Sequence, residues 1–392
     1  MQFMIKRIDN KNILNELKSI GFDEKYVEHG AKKHSFITLK ITNLPPHIAT
    51  IIKESALSKG TDAGVNKNVL MHKINSSDLI LSGTIKQLNE IKDCLYNQPF
   101  GLKEISKEIE KEIKLYYEEK LPKITGILNI TEDSFSDGGK YLDFEAAITH
   151  ANDMIKDGAK IIDIGAESTR PNAKPIDCET EIKRLAQVVK ELKKTNITVS
   201  IDTRNHKTAE FMLNLGADII NDVSGLEYDK NMINVIKNSK ADIIIMHSRG
   251  TPETMDKLTE YKNIADEIYE ELYKKIEYLN SEGIENKRII IDTGFGFAKN
   301  IEQNFELLKR IREFNSLNVR HLAGVSRKRF LQSIAQNKTI EEFDDITMLT
   351  SFYLMQSNVD LIRVHNVKKT KTALELYKKL FIGKDLIFEF DS

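Results

Sequence analysis

Two rhythms of hydrophobic and polar positions alternate along most of this chain. Short apolar runs recur at Ile124-Thr-Gly-Ile-Leu-Asn129, Ile161-Ile-Asp-Ile-Gly-Ala-Glu167, Val199-Ser-Ile-Asp202, Ala217-Asp-Ile-Ile-Asn221, Ile243-Ile-Ile-Met-His247, Ile289-Ile-Ile-Asp292, Leu322-Ala-Gly-Val-Ser326 and Leu361-Ile-Arg-Val-His365. Each is too short for a helix and rich in isoleucine and valine, as strands buried on both faces are. A stretch with helical period follows each run; Leu142 to Lys156, Glu179 to Lys194, His206 to Leu215 and Ile264 to Leu279 place easily. Strand then helix, about eight times over, predicts an α/β fold of the (β/α)8 TIM barrel type. In such a barrel the C-terminal strand ends meet on one face. Nearly every run here ends on a polar or charged residue, so side chains scattered over the chain are expected to share one pocket.

Residues 1–120 have another rhythm. Phe36-Ile-Thr-Leu-Lys-Ile41 alternates as a strand does, and Pro45-Pro46 precedes a predicted helix over 47–58. Val69-Leu-Met-His-Lys-Ile74 and Asp78-Leu-Ile-Leu-Ser82 are predicted strands, with a helix over 84–96. Leu102, Ile105, Ile109, Ile113 and Tyr116 form one stripe of a charged, connecting helix. The expected organisation is a smaller N-terminal α+β domain over 1–120 and a barrel over 121–392. His29, His34, His47 and His72 have no ligand spacing and read as surface or packing residues.

Composition narrows the function. The chain has 392 residues, with 58 Lys+Arg against 59 Asp+Glu, a net charge of −1. That balance gives no general attraction to nucleic acid or anionic membrane, so any anion site is local. Cys94 and Cys178 fall in different predicted domains, which fits a reducing cytoplasm. The N-terminus has no long apolar leader segment, and no stretch reaches the ~18 apolar residues of a membrane helix.

The strand ends carry the chemistry. Asn129 opens a polar loop ending at Gly138-Gly139; its side-chain oxygen suits a hydrated Mg2+ seated on phosphate oxygens, or else caps the loop backbone. Thr169 and Arg170 put a hydroxyl beside a guanidinium, which suits a phosphate. Alternation puts Arg363 and His365 on one side of the last strand, which neighbours the first in a closed barrel. Asn129, Thr169, Arg170, Arg363 and His365 are therefore expected around one diphosphate. Asp202, Asn221 and Asp292 offer acceptors and an amide to a flat heterocycle with an amino-pyrimidinone edge, although such residues also serve as helix caps. Lys328, in a basic first turn that opposes the helix dipole, suits a role over a ring. Asp292-Thr-Gly-Phe-Gly-Phe-Ala-Lys299 is glycine-rich without the dinucleotide spacing, and no Walker loop or nucleophile elbow is present.

Taken in order, Gly126 to Gly139, Glu167-Ser-Thr-Arg-Pro171, Ser200-Ile-Asp-Thr203, Ile220-Asn-Asp-Val223, Met246-His247, Gly294-Phe-Gly-Phe297, Ser326-Arg-Lys328 and Arg363-Val-His365 resemble the motifs of the dihydropteroate synthase family, across residues 123 to about 382. The resemblance implies condensation of 6-hydroxymethyl-7,8-dihydropterin diphosphate with p-aminobenzoate, giving 7,8-dihydropteroate and pyrophosphate with Mg2+, through early C–O cleavage to a stabilised pterin cation. It implies Asp202, Asn221, Asp292 and Lys328 at the pterin, Met246 packed on its ring, and Asn129, Thr169, Arg170, Arg363 and His365 at the diphosphate and Mg2+. Phe135, Asp137, Arg170 and Pro171 would lie on loops closing over p-aminobenzoate, where Phe297 and Lys328 line the pocket and sulfonamides compete. A homodimer is the family expectation.

Glu132, Asn172, Thr293 and Arg329 depart from the usual residues at their positions, which bears on arylamine affinity. Two alternatives stand beside this reading. A pterin-binding methyltransferase domain shares the barrel and the acids but has no use for the anion cage. A non-enzymatic pterin diphosphate sensor would bind without turnover.

Overall fold

The computed structural model describes residues 4–8, 10–71, 73–130, 140–167, 176–251 and 254–382. It divides into two compact units, Met1–Glu118 and Glu119–Ser392.

The first unit opens with α1 (Ile13–Ser19) and α2 (Val27–Ala31), followed by β1 (Phe36–Leu44), α3 (Pro46–Ser58), β2 (Asp62–Val65), β3 (Ser77–Thr84), α4 (Ile85–Tyr96) and α5 (Leu102–Tyr117). Its sheet is antiparallel in the order β1-β3-β2. Leu79 and Leu81 of β3 point to the helical side and are fully buried with Ile52 of α3, Ile85, Leu88 and Ile91 of α4, and Leu102 of α5. Proline at the first position of α3 starts that helix with no lost hydrogen bond. Thr84 and Gln87 cap α4 reciprocally.

One expectation changes here. The apolar run at 69–74 is no strand: Asn66 starts a turn, its Oδ1 accepting from Asn68 N at 3.0 Å and its carbonyl from Val69 N at 3.0 Å. Among the described residues of this run only Val69 is buried, while Leu70 and Met71 are exposed. The strand is instead Asp62-Ala-Gly-Val65, whose single buried residue is Ala63, too faint a signal for alternation to reveal. The helix expected to connect the units also belongs to the first unit's own core through Leu102, Ile109 and Ile113.

The second unit is a closed parallel barrel of β4 (Lys123–Asn129), β5 (Ile161–Gly165), β6 (Thr198–Asp202), β7 (Ile219–Asp222), β8 (Asp242–Met246), β9 (Ile289–Asp292), β10 (Arg320–Ala323) and β11 (Leu361–Val364), with β11 pairing β4. The helices between them are α6 (Lys140–Lys156), α7 (Cys178–Leu192), α8 (His206–Asn214), α9 (Met232–Lys237), α10 (Ile264–Ser281), α11 (Ile301–Lys309), α12 (Arg329–Gln332) and α13 (Ile340–Gln356), and α14 (Val367–Phe381) follows β11. Side-chain oxygens of Asp177, Asn205, Asn263, Asn300 and Asn366 cap the helices that follow them.

Register decides which residues face inward. Ile161, Ile219, Ile244, Ile290, Leu322 and Leu361 form a separate buried cluster, while the larger core lies between strands and helices. Two residues further along the same strands come Asp163, Asn221, Met246, Asp292 and Arg363. The period of a strand therefore aims a polar layer inward, above an apolar plug. No helix among the described residues is long and apolar enough to cross a membrane.

Candidate active site

The polar layer is built from strand ends. Arg363 on β11 donates from Nε to Asp163 Oδ2 at 2.6 Å and from Nη2 to Asp202 Oδ2 at 2.9 Å. Asn221 on β7 donates from Nδ2 to the same Asp163 oxygen at 3.1 Å. One guanidinium thus ties β5, β6 and β11 together, and the amide adds β7. Asp202 and Arg363, expected to touch one ligand, are in direct contact. Gly165 stands beside Asp202, and a Cβ there would come within 3.3 Å of the Asp202 Cβ.

Burial sets the charges. It pushes the Asp202 carboxyl up to about 7; Arg363 opposes this, and the charge of Asp163 adds to it. Burial also raises Asp292, against the pull of the Gly294 N–H that donates to its Oδ1 at 2.8 Å. Arg363 stays charged: burial works against it, but Asp163 and Asp202 more than compensate. Lys328 is drawn down to about 8 by burial despite the nearby Asp292. Its Nζ lies 4.2 Å from the centre of the Phe297 ring, a cation–π contact.

His365 is held differently from the cation suggested by its sequence position. Ser326 Oγ accepts from the His365 amide at 3.2 Å and lies 2.9 Å from Nδ1. With the hydroxyl proton donated to Nδ1, the ring proton of the neutral imidazole sits on Nε2. Burial, with Arg327 and Arg363 nearby, lowers the imidazole to about 3. At neutral pH it is an uncharged donor.

Met246 closes β8 in register with Asp292 and is buried. Asn129 closes β4 with its side chain exposed on the strand-end face. Thus Asn129, Asp202, Asn221, Met246, Asp292, Phe297, Lys328, Arg363 and His365 all lie at this end of the barrel. Phe135, Asp137, Thr169, Arg170 and Pro171 lie outside the described residues.

Asp163 escaped the sequence reading, although a carboxylate inside Ile161-Ile-Asp-Ile-Gly165 is itself a signal: an apolar run has no use for it unless it is paired. Lys299 escaped as well. Its buried Nζ donates to the carbonyls of Gly294 and Phe297, each at 2.9 Å, and lies 3.1 Å from His247 Nδ1. Burial lowers it to about 7, with Asp292 pulling the other way. Arg249 carries the network outward, donating to Glu271 at 2.6 Å and Glu267 at 3.1 Å. A cavity of about 340 Å³ on the flank, lined by His206, Glu210, Asn231 and Asn234, shares no residue with this constellation.

Known proteins are similar to this barrel in sequence and fold. The family model described as pterin binding enzyme matches residues 125–365. Dihydropteroate synthase of Clostridium beijerinckii is 38% identical over 255 residues, 64% of this chain and 92% of that protein. The crystal structure of dihydropteroate synthase from Anaplasma phagocytophilum with bound 6-hydroxymethylpterin-monophosphate is similar at 41% identity and a TM-score of 0.62, over 66% of this chain and 99% of that one. The bifunctional dihydropteroate synthase/dihydropteroate reductase of Helicobacter pylori is 30% identical over 383 residues, 96% of this chain and 99% of that protein. Inward acids tied by one arginine, a lysine over an aromatic ring and this extent of similarity together place the chain in the dihydropteroate synthase family of pterin-binding barrels.

Proposed function

We propose that the barrel condenses 6-hydroxymethyl-7,8-dihydropterin diphosphate with p-aminobenzoate, giving 7,8-dihydropteroate and pyrophosphate. The observation that carries this reading is the contact of Arg363 with both Asp163 and Asp202, beside Asn221, at the mouth of the barrel. The C–O bond to the diphosphate breaks with its electron pair leaving on pyrophosphate. The amine lone pair of the arylamine then forms the C–N bond, and the nitrogen sheds a proton. Charge develops on the pterin as the pair departs. The carboxylate charge of Asp163, joined by that of Asp202 and Asp292 when they are ionised, faces the developing cation and stabilises it. Asp202 and Asp292 accept from ring N–H groups, Asn221 fixes the amide edge, and Met246 packs on the face. Neutral His365 donates through Nε2 to a leaving phosphate oxygen.

Asn129 offers one exposed hard oxygen at this face, which fits a largely hydrated Mg2+ shared with phosphate oxygens. Bound there, the ion would supply charge neutralisation of the leaving group. Thr169 and Arg170 are proposed at the same diphosphate, and Phe135, Asp137, Pro171 and Phe297 at p-aminobenzoate. Purified protein with both substrates and Mg2+ is expected to release pyrophosphate and dihydropteroate. Tight pterin diphosphate binding without turnover would instead favour the sensor. Light scattering tests the homodimer, and fractionation of the source cells tests a cytoplasmic location.

A second reading rests on one observation: the match to the Helicobacter pylori bifunctional enzyme runs through both units. Under it, a hydride from a reduced flavin or nicotinamide adds to C6 of dihydropteroate and a proton to N5, giving tetrahydropteroate. Incubating the full chain with dihydropteroate and each reductant tests this by product mass, and an unchanged substrate rejects it.

A further inference from the structure

We infer that Lys299 is a positioning residue for pterin recognition, acting through the loop that follows β9; this rests on the pterin-binding reading of the barrel mouth. The loop from Asp292 to Lys299 turns through three left-handed residues, Gly294 (φ 69°), Gly296 (φ 77°) and Ala298 (φ 49°). Backbone in that region turns sharply and aims carbonyls inward, and alanine adopts it at a cost that surrounding contacts must offset. Here the carbonyls of Gly294 and Phe297 converge, and Lys299 Nζ fills the space between them at 2.9 Å from each.

The third donor of the ammonium reaches His247 Nδ1 at 3.1 Å. That arrangement requires His247 to present a lone pair at Nδ1. Burial lowers the imidazole to about 4, so at neutral pH it carries one ring proton, and the tautomer with that proton on Nε2 leaves Nδ1 free to accept. Its other nitrogen, Nε2, lies 3.1 Å from Glu271 Oε2. Burial raises the Glu271 carboxyl, but the nearby His247 and the hydrogen bond from Arg249 outweigh it and hold it at about 2. In its charged form, which is lost as pH rises through about 7, Lys299 meets three acceptors with its three donors inside the protein.

This ammonium reaches the ligand-binding residues only through backbone, at the Phe297 carbonyl, yet it determines where several of them stand. Asp292 is fixed by the Gly294 N–H, and the Gly294 carbonyl is fixed by Lys299. Phe297 carries the ring over which Lys328 lies, and a Cβ at Gly296 would come within 3.1 Å of Lys328 Cδ. The outer side of the loop is pinned separately: Tyr261 Oη donates to the Ala298 carbonyl at 3.0 Å, and Gly296 N donates to Asn304 Oδ1 at 2.7 Å. With these outer pins in place, loss of the inner cation is expected to loosen the loop without unfolding the barrel.

Lys299→Met keeps the length and apolar stem and removes the donors. Calorimetry with 6-hydroxymethylpterin should show affinity lowered by about tenfold or more, the scale of losing charge-assisted hydrogen bonds. Amide exchange read by mass spectrometry should rise over residues 293–298 and stay at the wild-type level in β6 and β11. In turnover, KM for the pterin diphosphate should rise more than kcat falls, and Lys299→Arg should recover part of the affinity. Unchanged pterin affinity and loop exchange overturn the inference. Exchange rising equally throughout the barrel also overturns it, because Lys299 would then serve global stability alone. Affinity and exchange are read without turnover, so an inactive wild type would refute the proposed reaction and leave this test intact.

Discussion

Asp163→Asn perturbs the site at the point where its charges are joined. The substitution keeps the volume and removes the negative charge that Arg363 Nε meets at 2.6 Å and Asn221 Nδ2 meets at 3.1 Å. Arg363 retains Asp202, so only one of its two charge-assisted bonds is lost, and a cost of about 1.5–3 kcal/mol in stability is expected. The effect on Asp202 has the opposite sign for binding. Two carboxylates on one guanidinium stand on the order of 5 Å apart, where like charges repel by ~3 kcal/mol at an effective dielectric of about 20. Removing that repulsion should lower the Asp202 carboxyl by roughly two pKa units from its value of about 7. The sign follows from which form binds: the ionised carboxylate accepts from pterin N–H groups, so affinity rises with pH as Asp202 loses its proton. In the wild type that rise should centre near 7. In the variant it should move to lower pH, while the melting temperature falls. Calorimetry with 6-hydroxymethylpterin across a pH series, paired with thermal melts, reads both. A midpoint unmoved from wild type would refute the charge coupling, even if the protein were destabilised.

Arg363→Ala leaves Asp163 and Asp202 buried without their shared cation; a loss of about 3–5 kcal/mol by denaturant titration is expected, and a loss below ~1 kcal/mol would show the pair to be solvated. Lys328 titrates near 8, and its charge is present below that value and lost above it. The kcat/KM of the condensation should therefore fall as pH rises through about 8, and Lys328→Arg, which stays charged, should lack that limb. If the limb persists in the arginine variant, it belongs to another group. Ile109→Ala in α5 empties a buried position of the first unit and should cost that unit about 2–5 kcal/mol; an unchanged melt would mean that α5 is not part of its core.

The sequence by itself determined the barrel, because eight apolar runs, each followed by a stretch of helical period, admit few other folds. It also determined the strand-end residues Asp202, Asn221, Asp292 and Arg363, since the chain reaches each at the moment it leaves the sheet. Local pattern was weaker in the first unit, where Ala63 alone marks β2 and the richer run from Val69 is a turn made by Asn66. Tertiary structure alone decided the partners. Asp163 and Arg363 are 200 positions apart, and their contact depends on closure of β11 against β4 and on the inward register of β5. Likewise, periodicity gives no sign that Lys299 turns back into its own loop, or that His365 is neutral. Charge state depends on burial and on neighbours from other strands, and these exist only once the barrel has closed.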